Sequence, residues 1–276
     1  MKRLIVTGDD FGLSMGVNDA IERAHRNGIL DTASIMIAAP SAQDAVHRAR
    51  GLPSLRVGLH VALVQARPML PIGEVPDLVD ESGELATNLT SAGVQFFFNR
   101  RVRRQLEAEV RAQFEAFRST GLRLDHVNAH NHMHVHPTVL SLILQVGKEY
   151  GMRAMRVPYE PFLPSWRSAR SELRTRLAGA AVLEPWARIM RRRLREAGIA
   201  HNDFVFGIHD TGRMTSERVL ALLREFPNGV GEIYFHPDDT CAGQEELAAL
   251  TNPRIVEALR ASGIERIGFS DLSPGA

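Results

Sequence analysis

The chain has 276 residues, 44% of them hydrophobic and 24% charged, which suffices for a full core and excludes any need to invoke disorder. Lysine and arginine number 33 against 32 aspartates and glutamates, so the net charge of +1 gives no reason to expect nucleic acid as a partner. No stretch reaches the roughly twenty apolar residues of a membrane span, the run Leu4-Ile5-Val6 is too short for a signal-peptide core, and the single cysteine, Cys241, excludes an internal disulfide.

These features predict a cytoplasmic protein, with contact at the inner face of a membrane left open, and a buried, small-hydrophobe role for Cys241. Leu4 to Thr7 reads as a buried strand, and Gly8-Asp9-Asp10-Phe11-Gly12 as the turn that ends it. Ser14 or Asn18 caps the next helix, whose Val17, Ile21 and Ala24 repeat at helical spacing before Asn27-Gly28 stops it. Ala33 to Ala38 is a second strand, Ala42 to Arg50 a helix, and Arg56 to His60 a third strand with a histidine at its end. Turn residues from Gly73 to Gly93 mark an insertion, about 65–100 in all, leading into Phe96-Phe97-Phe98 and a helix over 102–119. Leu124 to His130 is the fourth strand, Thr138 to Tyr150 a helix, and Arg153 to Val157 the fifth strand. A second insertion, about 161–200, reads as largely helical. Strands at 203–208 and 231–235 flank a helix at 216–226, and a helix at 253–262 leads to a last strand at 266–269. Strands alternating with helices imply parallel pairing and right-handed crossovers. The expected fold is α/β: one irregular (β/α) TIM-like barrel over residues 1–276 with helical insertions. There is no GxGxxG after a strand, which argues against a dinucleotide fold.

The polar residues gather where these strands end. Asp9 and Asp10 follow the first, His60 the third, His130 the fourth, His209-Asp210 the sixth, His236-Pro237-Asp238-Asp239 the seventh and Asp271 the last. The C-terminal strand ends of a barrel meet at one mouth, where active sites sit. Taken singly, the aspartate pair would serve equally as turn and helix cap, and His60 as a hydrogen-bonded core histidine. Five histidines between His126 and His136 cannot all share one face of a strand, so the strand should give way to a loop with one or two imidazoles at the site. One divalent metal accounts for the set: one carboxylate and two imidazoles hold it, and positions stay open for water and substrate. The second carboxylate of the Asp9-Asp10 pair remains as a general base, and His236 across the site protonates a leaving nitrogen. Those are the parts needed to hydrolyse an amide or ester.

Four ordered motifs, Thr7-Gly8-Asp9-Asp10-Phe11-Gly12, Gly58-Leu59-His60, Asn128-Ala129-His130-Asn131-His132-Met133-His134 and Glu232-Ile233-Tyr234-Phe235-His236-Pro237, together resemble the YdjC-like carbohydrate deacetylases. The resemblance runs over nearly the whole chain. It implies an irregular barrel that removes N-acetyl groups from amino sugars with a divalent metal, zinc or magnesium. By position it implies Asp10, His60 and His130 as ligands, Asp9 as base and His236 as acid. Asn128 stands where the family pattern usually has aspartate, which leaves its role behind the ligands open. The form of the first and third motifs, the phenylalanines near Phe96 and the long second insertion further resemble the family members associated with hopanoid biosynthesis. That implies an N-acetylglucosaminyl hopanoid as substrate.

In that mechanism Asp210 or Asp271 would orient His236, and His132 and Arg156, near the ends of strands four and five, would contact substrate. Arg156 would serve equally as an ion-pair partner. The second insertion interleaves Arg167, Arg170, Arg174, Arg176, Arg188, Arg191, Arg192, Arg193 and Arg195 with Trp166, Trp186, Leu177 and Ile189, a pattern suited to an anionic membrane surface and equally to a homo-oligomer contact. Two other readings stay open: deacetylation of a soluble N-acetylated sugar such as a chito-oligosaccharide, and a metal-dependent sugar-binding pseudoenzyme.

Overall fold

The computed structural model describes residues 1–273. Its elements in chain order are β1 (Lys2–Phe11), α1 (Met15–Asn27), β2 (Thr32–Ile35), α2 (Ala42–Arg50), β3 (Arg56–Val61), α3 (Leu89–Phe98), α4 (Arg100–Ser119), β4 (Leu124–Ala129), α5 (Pro137–Glu149) and β5 (Ala154–Met155). There follow α6 (Phe162–Ala169), α7 (Leu173–Glu196), β6 (Ala200–His201), β7 (Phe204–Phe206), α8 (Ser216–Arg224), β8 (Gly229–Phe235), α9 (Cys241–Leu250), α10 (Pro253–Ser262) and β9 (Glu265–Arg266). The strands form a single parallel sheet in the order β6-β5-β4-β3-β2-β1-β8-β7, with β9 added beside the start of β1.

The two ends of this sheet meet. β6 and β7 are halves of one stave broken at Asn202-Asp203, and the Asn202 side chain replaces the missing ladder. Its Oδ1 accepts from Val157 N at 2.7 Å, and its amide donates to the carbonyls of Val157 and Phe204 at 3.0 Å each. Val205 N then donates to Tyr159 O at 2.8 Å. The curled sheet with its outer helices is an irregular (β/α) barrel, as the alternation of elements predicts.

Side chains alternate across each stave, and three layers of interior follow. The lowest is apolar: Ile5, Ala154, Ala200 and Val230 close on Ile267 and Phe269 from the C-terminal segment. Above it Thr7, Thr32, Glu232 and Arg156 are fully buried and hydrogen-bonded to one another or to backbone. The top layer is the mouth. Leu4, Val6, Leu59, Val127 and Ile233 face outward into the main core beneath the helices, with Ile21, Leu106, Ile143 and Leu222.

Several expectations change. The fifth strand shrinks to β5 and the last to β9; the sixth, expected at 203–208, shortens to β7, and β6 forms at the end of the expected insertion. A helix not expected from the sequence, α9, starts at Cys241, which is exposed rather than buried, because it sits in the helix's first turn beyond the core. Asp271 does not reach the mouth. It accepts from Arg56 Nη2 at 2.7 Å, and Arg56 opens β3, so this carboxylate lies at the opposite end of the barrel. Asp210 is also consumed, by paired contacts from Arg176 (2.6 and 3.0 Å) and Arg218 (2.5 and 2.9 Å). Neither aspartate orients His236. Arg176 is thereby removed from the exposed basic set of α7 and instead pins that helix to the loop after β7.

Arg156 is the one guanidinium of the polar layer, and its partners are buried with it. Removing one member of a buried ion cluster leaves the others uncompensated and costs about 3–5 kcal/mol. Arg156→Met should therefore lower the unfolding free energy by about that amount, read as a fall in the urea midpoint with the denaturant dependence unchanged.

Candidate active site

The first motif places two adjacent carboxylates at one mouth, which a regular strand cannot do. Between Gly8 and Phe11 the pairing of β1 with β2 slips by one residue, and Asp10 takes φ +62°. This bulge turns Asp10 to the same side as Asp9; aspartate tolerates the left-handed region better than most residues. The turn beyond is tied down by Asn18, whose Oδ1 accepts from Gly12 N at 2.8 Å and whose amide donates to Ser41 O and Asp44. Ser14, not Asn18, caps α1.

The fourth strand ends in a similar irregularity. Asn131 and His132 both have positive φ, 51° and 53°, so the chain turns sharply and the histidines diverge. His126 stacks on Phe269 in the lower layer, with ring centroids 4.4 Å apart. His130 enters the mouth, and His132 lies 3.1 Å from the Tyr234 hydroxyl. His134 meets the Arg156 carbonyl at 3.1 Å, and His136 packs edge-on against Phe96 and Phe97.

Asp10, His60 and His130 converge, each with one ligand atom within 4.8 Å of the other two. Asp10 Oδ1 is 3.2 Å from His60 Nε2 and 3.2 Å from His130 Nδ1. Asn128 Oδ1, an acceptor, lies 2.7 Å from His60 Nδ1, which places the ring proton on Nδ1 and turns the bare Nε2 toward Asp10. The Asn128 amide donates to Asp9 Oδ1 at 3.1 Å, consistent with that orientation. A lone pair facing a carboxylate at 3.2 Å needs a cation between them, and an imidazole oriented through its far nitrogen is the usual support of a metal ligand. Asn128 therefore does stand behind the ligands, in spite of its departure from the family pattern. The three residues fit a divalent ion.

Asp9 sits beside this triad. Arg156 grips it through Nη1 to Oδ2 at 2.5 Å and Nη2 to Oδ1 at 3.0 Å, and Ser34 donates to Oδ1 at 2.7 Å. Burial opposes ionisation of Asp9, yet the Arg156 guanidinium and the nearby imidazoles hold its carboxyl far below the usual range. Burial likewise opposes the charge on Asp10, and the imidazoles of His130, His60 and His236 around it outweigh that, holding its carboxyl well below the usual range. Arg156 is completely buried. Its other contacts go to Glu232, at 2.7 and 2.8 Å, and its guanidinium lies 4.7 Å from the centre of the Tyr234 ring. Arg156 itself does not line the mouth; Asp9 and Tyr234, which it contacts, do. One guanidinium contacts Asp9 and Glu232, and the Asp10 carboxyl beside them adds a third, an acidic excess that a divalent cation would balance.

The opposite wall carries His236, with Nε2 4.0 Å from Asp10 Oδ2. Its backbone N–H donates to Glu246 at 2.5 Å, a residue that no sequence motif marks. His132, Thr211 and Tyr234 complete the wall of a cavity of about 240 Å³, with Leu89 at its edge. Burial, followed by repulsion from Arg156, pushes the His132 imidazole down to about 3, so it is neutral near pH 7. The sequence reading passed over Ser34, left the role of Asn128 open, and quoted Glu232 and Tyr234 only as motif residues without a role. Ser34, Asn128 and Glu232 are polar residues within apolar strands, and that interruption is the signal by which they could have been found.

The description of YdjC-like proteins matches residues 3–261. A carbohydrate deacetylase of Geobacillus stearothermophilus is 30% identical, with 97% of this chain and 96% of the relative covered. One of Vibrio vulnificus is 36% identical, with 98% and 96% covered. Among solved structures, a protein of Enterococcus faecalis assigned provisionally to cellobiose-phosphate cleavage superposes with a TM-score of 0.72 at 25% identity, covering 99% of both chains. With the match spanning nearly the whole barrel and all four motifs inside it, the chain belongs to the YdjC-like family.

Proposed function

We propose that this protein is a metal-dependent carbohydrate N-deacetylase that removes the acetyl group from an N-acetylglucosaminyl hopanoid, working as one barrel unit over residues 1–276 with the segments 65–100 and 161–200 as decorations. The observation that carries the reading is the pair of carboxylates on one bulge: Asp10 points at two imidazoles, and Asp9 stays outside the triad with a clamp of its own. A binding site has no need of the second carboxylate. Carbohydrate deacetylases among the relatives support the reaction class.

Asp10, His60 and His130 would hold the ion, zinc being favoured over magnesium by the two imidazoles. When bound, it would polarise the amide carbonyl and make water a stronger acid. Asp9, kept ionised by Arg156, takes a proton from the attacking water as the new carbon–oxygen bond forms. His236 delivers a proton to the nitrogen as the carbon–nitrogen bond breaks, releasing acetate and the free amine. His132 and the Tyr234 hydroxyl contact the sugar from the wall, and Arg156 acts through Asp9 as a positioning residue.

The lipid part of this reading rests on the second insertion. α7 exposes Leu177, Val182, Trp186 and Ile189 together with Arg174, Arg188 and Arg192, which suits peripheral contact with an anionic bilayer at the cytoplasmic face. Among the described residues no helix is long and apolar enough to cross a membrane.

Three outcomes are expected. Asp9→Asn should retain its metal, read by elemental analysis, while acetate release falls about 10²- to 10⁴-fold; a near wild-type rate would remove Asp9 as base. His60→Ala should lose both metal and turnover, and chelation should abolish activity until zinc or magnesium is restored. In sedimentation with vesicles, the protein should pellet with anionic but not zwitterionic lipid, less so in high salt, and Trp186→Ala with Ile189→Ala should weaken it. Vesicle binding unaffected by both changes, or self-association through α7, would sink the membrane contact. Faster turnover of chito-oligosaccharides than of the glycolipid would move the substrate to soluble sugars.

A further inference from the structure

A second hollow, of about 200 Å³, lies beside the mouth and has no part in the steps above. Its floor is apolar, formed by Leu13, Met36, Ala38, Pro40, Ala62 and Ala66, and Gln65, Arg67 and Glu84 stand around it. Each residue of the Asp10-His60-His130 triad is joined to this hollow by a short stretch of chain. Leu13 N donates to Asp10 O at 2.9 Å, closing a tight turn from the ligand to the floor. Ala62 is two residues beyond His60. Gln65 Oε1 accepts from Asn131 Nδ2 at 2.8 Å, and Asn131 follows His130. The triad is thus linked to two cavities: the polar one of His132, Tyr234 and His236, which His60 and His130 line, and this apolar one formed by the loops after β1, β2 and β3.

A pyranose ring is usually gripped by hydrogen bonds and an aromatic face, and the described lining of the second hollow contains no aromatic side chain. Leu13, 43% exposed, is an apolar surface three residues after Asp10, which water covers poorly. We propose that this hollow is a subsite for a compact aliphatic group carried on the N-acetylated sugar, bound while the acetamide lies against Asp9 and Asp10. The assignment rests on the deacetylase reading of the mouth. At roughly 30 Å³ for each water-sized group, the hollow takes about six heavy atoms, enough for the part of a larger lipid nearest the sugar.

The test is a series of n-alkyl glycosides of N-acetylglucosamine, methyl to octyl, with acetate release as one readout and calorimetric binding of the corresponding glucosaminides as the other. Both should strengthen about three- to fourfold per methylene up to about hexyl and then level off. Ala38→Phe, which fills the hollow from a half-buried loop position, should flatten both series. The hexyl-to-methyl ratio is the quantity compared, so a general loss of fold or metal cancels. A flat wild-type series, a series that Ala38→Phe leaves steep, or a preference for diacetylchitobiose removed by Ala38→Phe would overturn the subsite. If no glycoside releases acetate, the deacetylase reading falls, and the calorimetric series still decides the hollow.

Discussion

The interior of this barrel depends on one buried guanidinium. Arg156 faces Asp9 and Glu232 with two contacts each, and Thr7 on β1 closes the other side of Glu232 at 2.6 Å. A charge cluster buried this deeply is tolerated only when its donors and acceptors are matched. Here the matching fixes β1, β5 and β8 in register at the level just below the mouth. The same contacts hold Asp9 ionised and aimed, so the interaction that completes the fold also sets the state of the proposed base.

Above that layer, function depends on departures from regular backbone. The bulge at Asp10 brings neighbouring carboxylates to one side, where a straight strand would have sent one of them into the helical layer. The positive φ angles at Asn131 and His132 separate five histidines among the lower layer, the mouth, the wall and the cap of α5. Such conformations cost free energy and persist where surrounding contacts enforce them. The contacts of Asn18 with the turn and of Asn131 with Gln65 are of that kind.

The barrel and its additions differ in character. The mouth is assembled from strand ends within a closed ring. Around it, α3 exposes Val94, Phe97 and Phe98, and α7 exposes Trp186 and Ile189. Apolar surface near a polar cavity suits a substrate with a sugar end and a lipid end, which is the chemistry proposed for both the mouth and the hollow beside it.

The sequence by itself determined the alternation of strands and helices, the barrel class, the helical second insertion and the gathering of Asp9, Asp10, His60, His130 and His236 at strand ends, because hydrophobic period, turn residues and strand-end positions are local properties; the resemblance of the motifs, not position, singled out Asp10, His60 and His130. Only the tertiary structure decided what Arg156 does. It lies 147 positions from Asp9 and 76 from Glu232, and no local pattern reports that ring closure brings the three together. The same limit explains Asp210 and Asp271. Each follows a strand or short helical turn in sequence, but Arg176 from a distant helix captures the first, and a shortened last strand leaves the second at the other end of the barrel. Position along a strand says which residues can reach a mouth; partners contributed by remote elements decide which of them remain free there.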